Sequence, residues 1–258
     1  MAQGVAPQDR RMTTKRLTRS LAIGAIVGQA LFIGGWLVAG ALEGHGYSPG
    51  RHDISDLGAV TAHHAGVILV TDAVSGLLTI AFAVGALVPA LTVPGRRSPL
   101  GAWLVAFSLP ALDNLGDTFF RVDCRAADPG CSASHAYGSW HGTMHVVVFG
   151  VAALATVIAP FALSRRMRIV EGWKDLSRPA FWFGIAFVVG FVVTGAATDT
   201  SIQGWTQRTL ILLTCSGIVV LAGRVLQRTR YSPPCDEAPT ASSPVTRGAS
   251  PVPTSSSS

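Results

Sequence analysis

Two aspartates, Asp113 and Asp117, and two histidines, His141 and His145, each stand four positions apart. Residues at that spacing lie one above the other on a helix, so each pair presents its polar groups in one direction. Two imidazoles with one or two carboxylates at about 2.0–2.2 Å make a donor set for Zn²⁺. Carboxylates left over would accept the second ring N–H of each histidine. In that reading His141, His145, Asp113 and Asp117 are metal ligands, and a bound zinc brings the pKa of its water towards about 7. Asp113, Asp117 and Asp72 are then the catalytic carboxylates. The plainer reading is two head-group-wetted histidines and two aspartates fraying a helix end.

The elements that must hold these groups are apolar. Of 258 residues, 49% are hydrophobic and 13% charged, against about 25% charged in a soluble domain. Long stretches carry no charge, which places the chain in the membrane class. A net charge of +6 does not point to nucleic acid, because the basic residues sit in short clusters beside apolar segments, where they set orientation and meet anionic lipid heads.

A span needs about 20 apolar residues. Residues 21–42, 65–91, 100–120, 141–163, 179–197 and 209–226 qualify. The first is longer than a signal-peptide core of about 7–15 residues, so it reads as a span. The third reaches across only with Asp113 and Asp117 at membrane depth, and Pro110 should kink it. The expected architecture is all-α: an integral bundle of six transmembrane helices over 20–228, a disordered basic arm over 1–19, and a Ser-, Pro- and Thr-rich tail over 229–258. That tail cannot bury enough surface to order itself. Sixteen of the 20 Lys and Arg residues fall in the arm, the second and fourth connections and the tail. The positive-inside rule then makes both termini cytoplasmic. Trp103, Trp173 and Trp182 fall at inner boundaries and Trp140 and Trp205 at outer ones, as interfacial anchors.

On this topology His52, His63, His64, Asp53, Asp56 and Asp72 lie outside or in the outer half, as do His45, His135, Asp123, Asp199 and the two i, i+4 pairs. A charge at the bilayer centre costs about 2.5–3.5 kcal/mol on insertion scales, so the aspartates at membrane depth should face one another, histidines or an outward cavity. His63 and His64 are adjacent and cannot both face one site. Asp199 with Gln203 reads as a rim or a helix end, and Arg208 as a solvated flank. Cys124 and Cys131, separated by six residues on the oxidising side, read as a disulfide that fixes the longest loop. Cys215 reads as packing and Cys235 as a free tail thiol.

Three runs carry a likeness: Tyr47-Ser-Pro followed by His52-Asp-Ile-Ser-Asp-Leu-Gly58, then Gly116-Asp-Thr-Phe-Phe-Arg-Val-Asp123, then Gly138-Ser-Trp-His-Gly-Thr-Met-His145. Together they resemble the bacterial multispanning family known as domain of unknown function 998, over roughly residues 20–226. Members often have Phe-Pro-x-Asp in the second run, where this chain has Arg121 after Phe120. The resemblance implies a multi-pass protein of a bacterial plasma membrane, marks Ser55, Asp56, Asp123, His141 and His145 as family features, and supplies no activity. A looser likeness to the membrane hydrolases that include alkaline ceramidases and adiponectin receptors rests on residue types alone.

Three functions compete. A zinc-dependent hydrolase would act from the outer face on a lipid or lipid-linked substrate. A non-catalytic membrane subunit or sensor would use the polar cluster only to tie helices together. A proton- or cation-coupled transporter would need polar groups in the inner half as well. The partners expected are the lipid bilayer and a small-molecule or lipid substrate, with no nucleic acid.

Overall fold

The computed structural model describes residues 7–44 and 46–230. The tail, Cys235 and His45 lie outside the described residues. Helix α1 spans Pro7–Leu42, α2 Ala65–Leu91, α3 Leu100–Ala106 and α4 Asn114–Asp117. They are followed by α5 (Ala133–Ala136), α6 (Trp140–Met167), α7 (Ser177–Ala196) and α8 (Gln203–Arg230). Five helices among the described residues are long and apolar enough to cross a membrane: the four longest elements α1, α2, α6 and α8, and the stretch Lys174–Ala196 that contains α7. The bundle is a multi-pass membrane architecture in composition and length.

Two expectations need correcting. Residues 7–19 are helical and their backbone continues α1 rather than forming an irregular arm. None of them is Pro beyond position 7 or Gly, and the helix propagates through them at little cost. The third apolar segment is not one helix. It breaks after Ala106, passes through an extended Ser108, and resumes as a widened π turn, Leu109–Asp113, that leads into α4. Pro110 explains the position of the break: it has no N–H and its ring crowds the carbonyl four residues back. The freed Leu109 N–H is not left bare, because it donates to Thr156 Oγ1 of α6 at 2.9 Å. Irregular backbone inside an apolar bundle is tolerated where it is buried in protein or lines a cavity, and this one does both.

Small residues let the broken segment pack closely. A Cβ on Gly76 of α2 would come within 2.7 Å of Ala111 O, and one on Gly101 of α3 within 2.5 Å of Leu163 N in α6. The largest core cluster lies at the other end of the bundle, where Phe82, Ala83 and Leu87 of α2 pack with Ala25, Met167 and Trp173. Trp173 is therefore fully buried and is no interfacial anchor. Trp140, Trp182 and Trp205 are strongly exposed, at 68%, 66% and 60%.

Candidate functional site

α2 and the broken third segment bring three carboxylates to one place. Asp72 lies two turns into α2 and is only 4% exposed. Asp113 ends the π turn and Asp117 ends α4, one turn further on. The three interact electrostatically with one another. His145 comes from the second turn of α6, with its Nδ1 2.9 Å from Asp117 Oδ1 and 3.2 Å from Phe120 O. The carboxylate contact is an ion-pair approach rather than an aligned hydrogen bond, for Asp117 Oδ1 has no hydrogen-bond donor. Asp72 Oδ1 and Asp113 Oδ1 are likewise buried without a partner. All four side chains line a cavity of about 310 Å³, together with Asn114 and Arg121. Tyr137 stacks over the His145 ring at 6.3 Å between centroids and roofs that corner.

Beneath Asp72 a short polar seam follows α2. Asn114 Nδ2 donates to Ser75 Oγ at 3.4 Å, and Gln29 Nε2 donates to Thr79 Oγ1 at 2.9 Å. One turn lower the same face of α2 becomes Phe82, Ala83 and Ala86, all in the apolar cluster. The cavity is thus closed off on that side by packed hydrocarbon.

The connections at this end of the bundle form a cap over this cavity, and the three sequence runs are its joints. Arg208 of α8 is 3% exposed, not a solvated flank. Its Nη1 donates to Pro49 O at 2.6 Å and His52 O at 2.8 Å, its Nη2 to Tyr47 OH, and its guanidinium lies 5.4 Å from the Trp36 ring centroid. Gln203 Nε2 donates to Asp53 Oδ2 at 2.8 Å, and Ile54 N donates to Gln207 Oε1 at 2.7 Å. Gly204 is required here, because a Cβ would sit 2.3 Å from Pro49 O. In the second run, Arg121 Nε donates to Gly58 O at 2.8 Å and its Nη2 to Ala59 O at 2.6 Å. In the third, the Ser139 hydroxyl accepts from Gly142 N at 3.1 Å to cap α6, and donates to Asp123 Oδ1 at 2.6 Å. The structure contains the disulfide Cys124–Cys131 within this cap.

A family described as a protein of unknown function, DUF998, matches residues 26–224. The chain belongs to that family. The match runs from the middle of α1 to near the end of α8, so the DUF998 region includes the cavity and all three joints of the cap. No curated protein and no solved structure matches the chain.

In this DUF998 member the sequence-derived candidates divide. Asp72, Asp113, Asp117 and His145 share the cavity. His141 does not line it: that side chain is exposed at the start of α6, with Nδ1 3.1 Å from Phe119 O. The i, i+4 spacing holds, yet each imidazole takes a different backbone carbonyl. A zinc site needs three or four converging donors, and among the described residues no three His, Cys, Asp or Glu side chains are grouped to hold a metal. The residues brought together do not fit the zinc centre expected from spacing. His63 and His64 are both exposed, and Asp199 donates its backbone N–H to Gln203 Oε1 at 2.8 Å as part of the turn before α8.

Sequence reasoning missed Glu43, Arg125 and Asn114. Glu43 is 3% exposed and closes the cap. It pairs with Arg125, and accepts from His63 N at 3.0 Å and His64 N at 3.4 Å, next to the start of α2. Burial pushes its carboxyl up, but these hydrogen bonds and the Arg125 charge outweigh it and leave it below the ordinary value. Asp56 goes the other way. Burial raises its carboxyl to about 6 against one opposing hydrogen bond from Ala126 N, and Oδ2 has no partner. Only the apolar character of Ile54 and Leu57 beside it hinted at that burial.

Proposed function

We propose that this protein crosses a bacterial plasma membrane six times, the broken third segment included, with both termini cytoplasmic, and that its outward cavity binds a small positively charged ligand. One observation carries the reading: Asp72, Asp113 and Asp117 meet in a single cavity with a buried oxygen on each left without a hydrogen-bond donor. Buried carboxylates are costly unless paired or donated to. His145 and Arg121 are the basic side chains on that wall, and Arg121 already spends two donors on backbone carbonyls. A ligand cation supplies the missing charge and donors together. The volume of about 310 Å³ falls at the lower end of small-molecule sites. The clustering of basic residues in alternate connections supports the orientation, and the packed apolar face below Thr79 favours binding from outside over passage through.

The test is calorimetric titration of protein in lipid nanodiscs with ethanolamine, wild type against Asp113→Asn. The reading expects saturable binding that weakens at least tenfold in the variant. No binding in either would sink it.

A second reading rests on the contact between Asp117 and His145. A carboxylate that orients an imidazole is the usual arrangement for a general base, and Asp113 one turn away would supply an acid. Hydrolysis of a lipid-linked substrate that survives chelation and is lost in His145→Gln supports it; activity that needs added zinc would restore the metal reading instead.

A further inference from the structure

We infer that the cavity is entered sideways, from the outer leaflet, and that its ligand is an amphiphile carrying a primary ammonium head group. This deepens the cationic-ligand reading and rests on it.

The first observation is a lateral window. Val146 and Phe149 of α6 line the cavity while remaining 47% and 38% exposed. Opposite them, Gly195 at the end of α7 and Thr198 just beyond it line the cavity and are also exposed. A wall residue that faces both the cavity and the outside marks an opening. Val146 lies six residues below Trp140 on α6, about 9 Å along the axis at 1.5 Å per residue. Trp140 is strongly exposed, as an interfacial side chain should be, so the window sits at hydrocarbon depth and not at the aqueous mouth. α7 is the least buried of the long apolar helices, and so has little packed on its outer face to obstruct entry.

The second observation is the grading of the wall. Next to the window stand Phe149, Phe191 and Leu210, with Phe149 and Phe191 stacked at 6.4 Å. Thr194 Oγ1, on the same side, is buried without a partner. The carboxylates stand at the α2 and α4 wall. A ligand lying along this gradient has an apolar body at the window and a cationic end inside.

The third observation selects the cation. Asp72 Oδ1 and Asp113 Oδ1 are buried acceptors without a partner, Asp117 Oδ1, approached by His145 Nδ1, is a third in the same cavity, and an alkylammonium offers three N–H donors. A quaternary ammonium offers none and would leave the Asp72 and Asp113 oxygens unmet.

The probes are dodecylamine, dodecyltrimethylammonium and ethanolamine, titrated against protein in nanodiscs and against empty nanodiscs, with the protein's tryptophan fluorescence as a second readout. Dodecylamine should bind at least tenfold tighter than either of the others. The plug variant is Gly195→Trp, since a Cβ at Gly195 meets nothing within 4 Å and the fold need not shift. It should slow dodecylamine association at least tenfold, and an association rate equal to wild type would overturn entry through this window. If ethanolamine binds in an Asp113-dependent way and dodecylamine binds no tighter, lateral entry of an amphiphile is overturned while the cationic site stands. If the trimethyl compound binds as well as the primary amine, the head-group assignment is overturned. If nothing binds, both fall together.

Discussion

Glu43 at the end of α1 and Arg125 in the disulfide loop form a buried ion pair across 82 positions of sequence, with the Glu43 side chain fully enclosed. Arg125 also donates from Nε to Asp128 Oδ1 at 2.9 Å, so one guanidinium ties the first connection to the third. Removing one member of a buried pair strands the other charge, at about 3–5 kcal/mol. Arg125→Ala should therefore lower the apparent Tm in detergent sharply. Glu43→Gln/Arg125→Met, which removes both charges, should recover most of the loss. Equal Tm values for the single and double variants would show that the pair is not what holds the cap.

Arg208 makes a second tie of a different kind, one that depends on shape. Its planar fork serves Pro49 O, His52 O, Gly204 O and Tyr47 OH at once. Lysine keeps the charge but not the fork. Arg208→Lys should be nearly as destabilising as Arg208→Ala, and proteolysis should cut the 43–58 connection first. A lysine variant as stable as wild type would mean that charge alone suffices.

Asp56 predicts a pH dependence of the cap. Its carboxyl stands at about 6 when folded, against an ordinary 3.8, so the folded state holds the proton more tightly. The stability it contributes is full below 3.8 and is lost as the pH rises through 6. Glu43 is shifted the opposite way and stays ionised above its ordinary 4.5, so measurement from pH 5 to 8 separates the two. Asp56→Asn should remove a decline of about 1 kcal/mol between pH 5 and 7. Identical pH profiles for variant and wild type would refute the assignment.

Topology has its own measurement. A reporter fused after residue 230 should read cytoplasmic, and a tag inserted at Ala127 should be accessible from outside the cell. Both on the same side would break the proposal that the interrupted third segment crosses.

Much of the architecture was legible in local composition, because hydrocarbon cannot solvate charge or bare backbone. The runs 21–42, 141–163 and 209–226 announce themselves as long apolar helices, and the structure has them as α1, α6 and α8. Pro110 announced a distortion in the third segment. Cys124 and Cys131 announced their pairing by proximity. The depth at which Asp72 lies was equally readable.

What the sequence alone could not decide was which polar groups meet. Spacing of four positions makes His141 and His145 neighbours on a helix, but whether a side chain enters a cavity depends on what packs against that helix. Here Phe119 O holds His141 outside, while Asp117 draws His145 in. Arg208 looked like a solvated flank, and Glu43 drew no notice, because their partners, Pro49, His52 and Arg125, are distant in sequence and mostly backbone or loop. Segment composition is set by the solvent each residue must face, and that is a local property. The convergence of Asp72, Asp113, Asp117 and His145 is set by the break at Ser108 and the close approach at Gly76, and those exist only once the helices are packed.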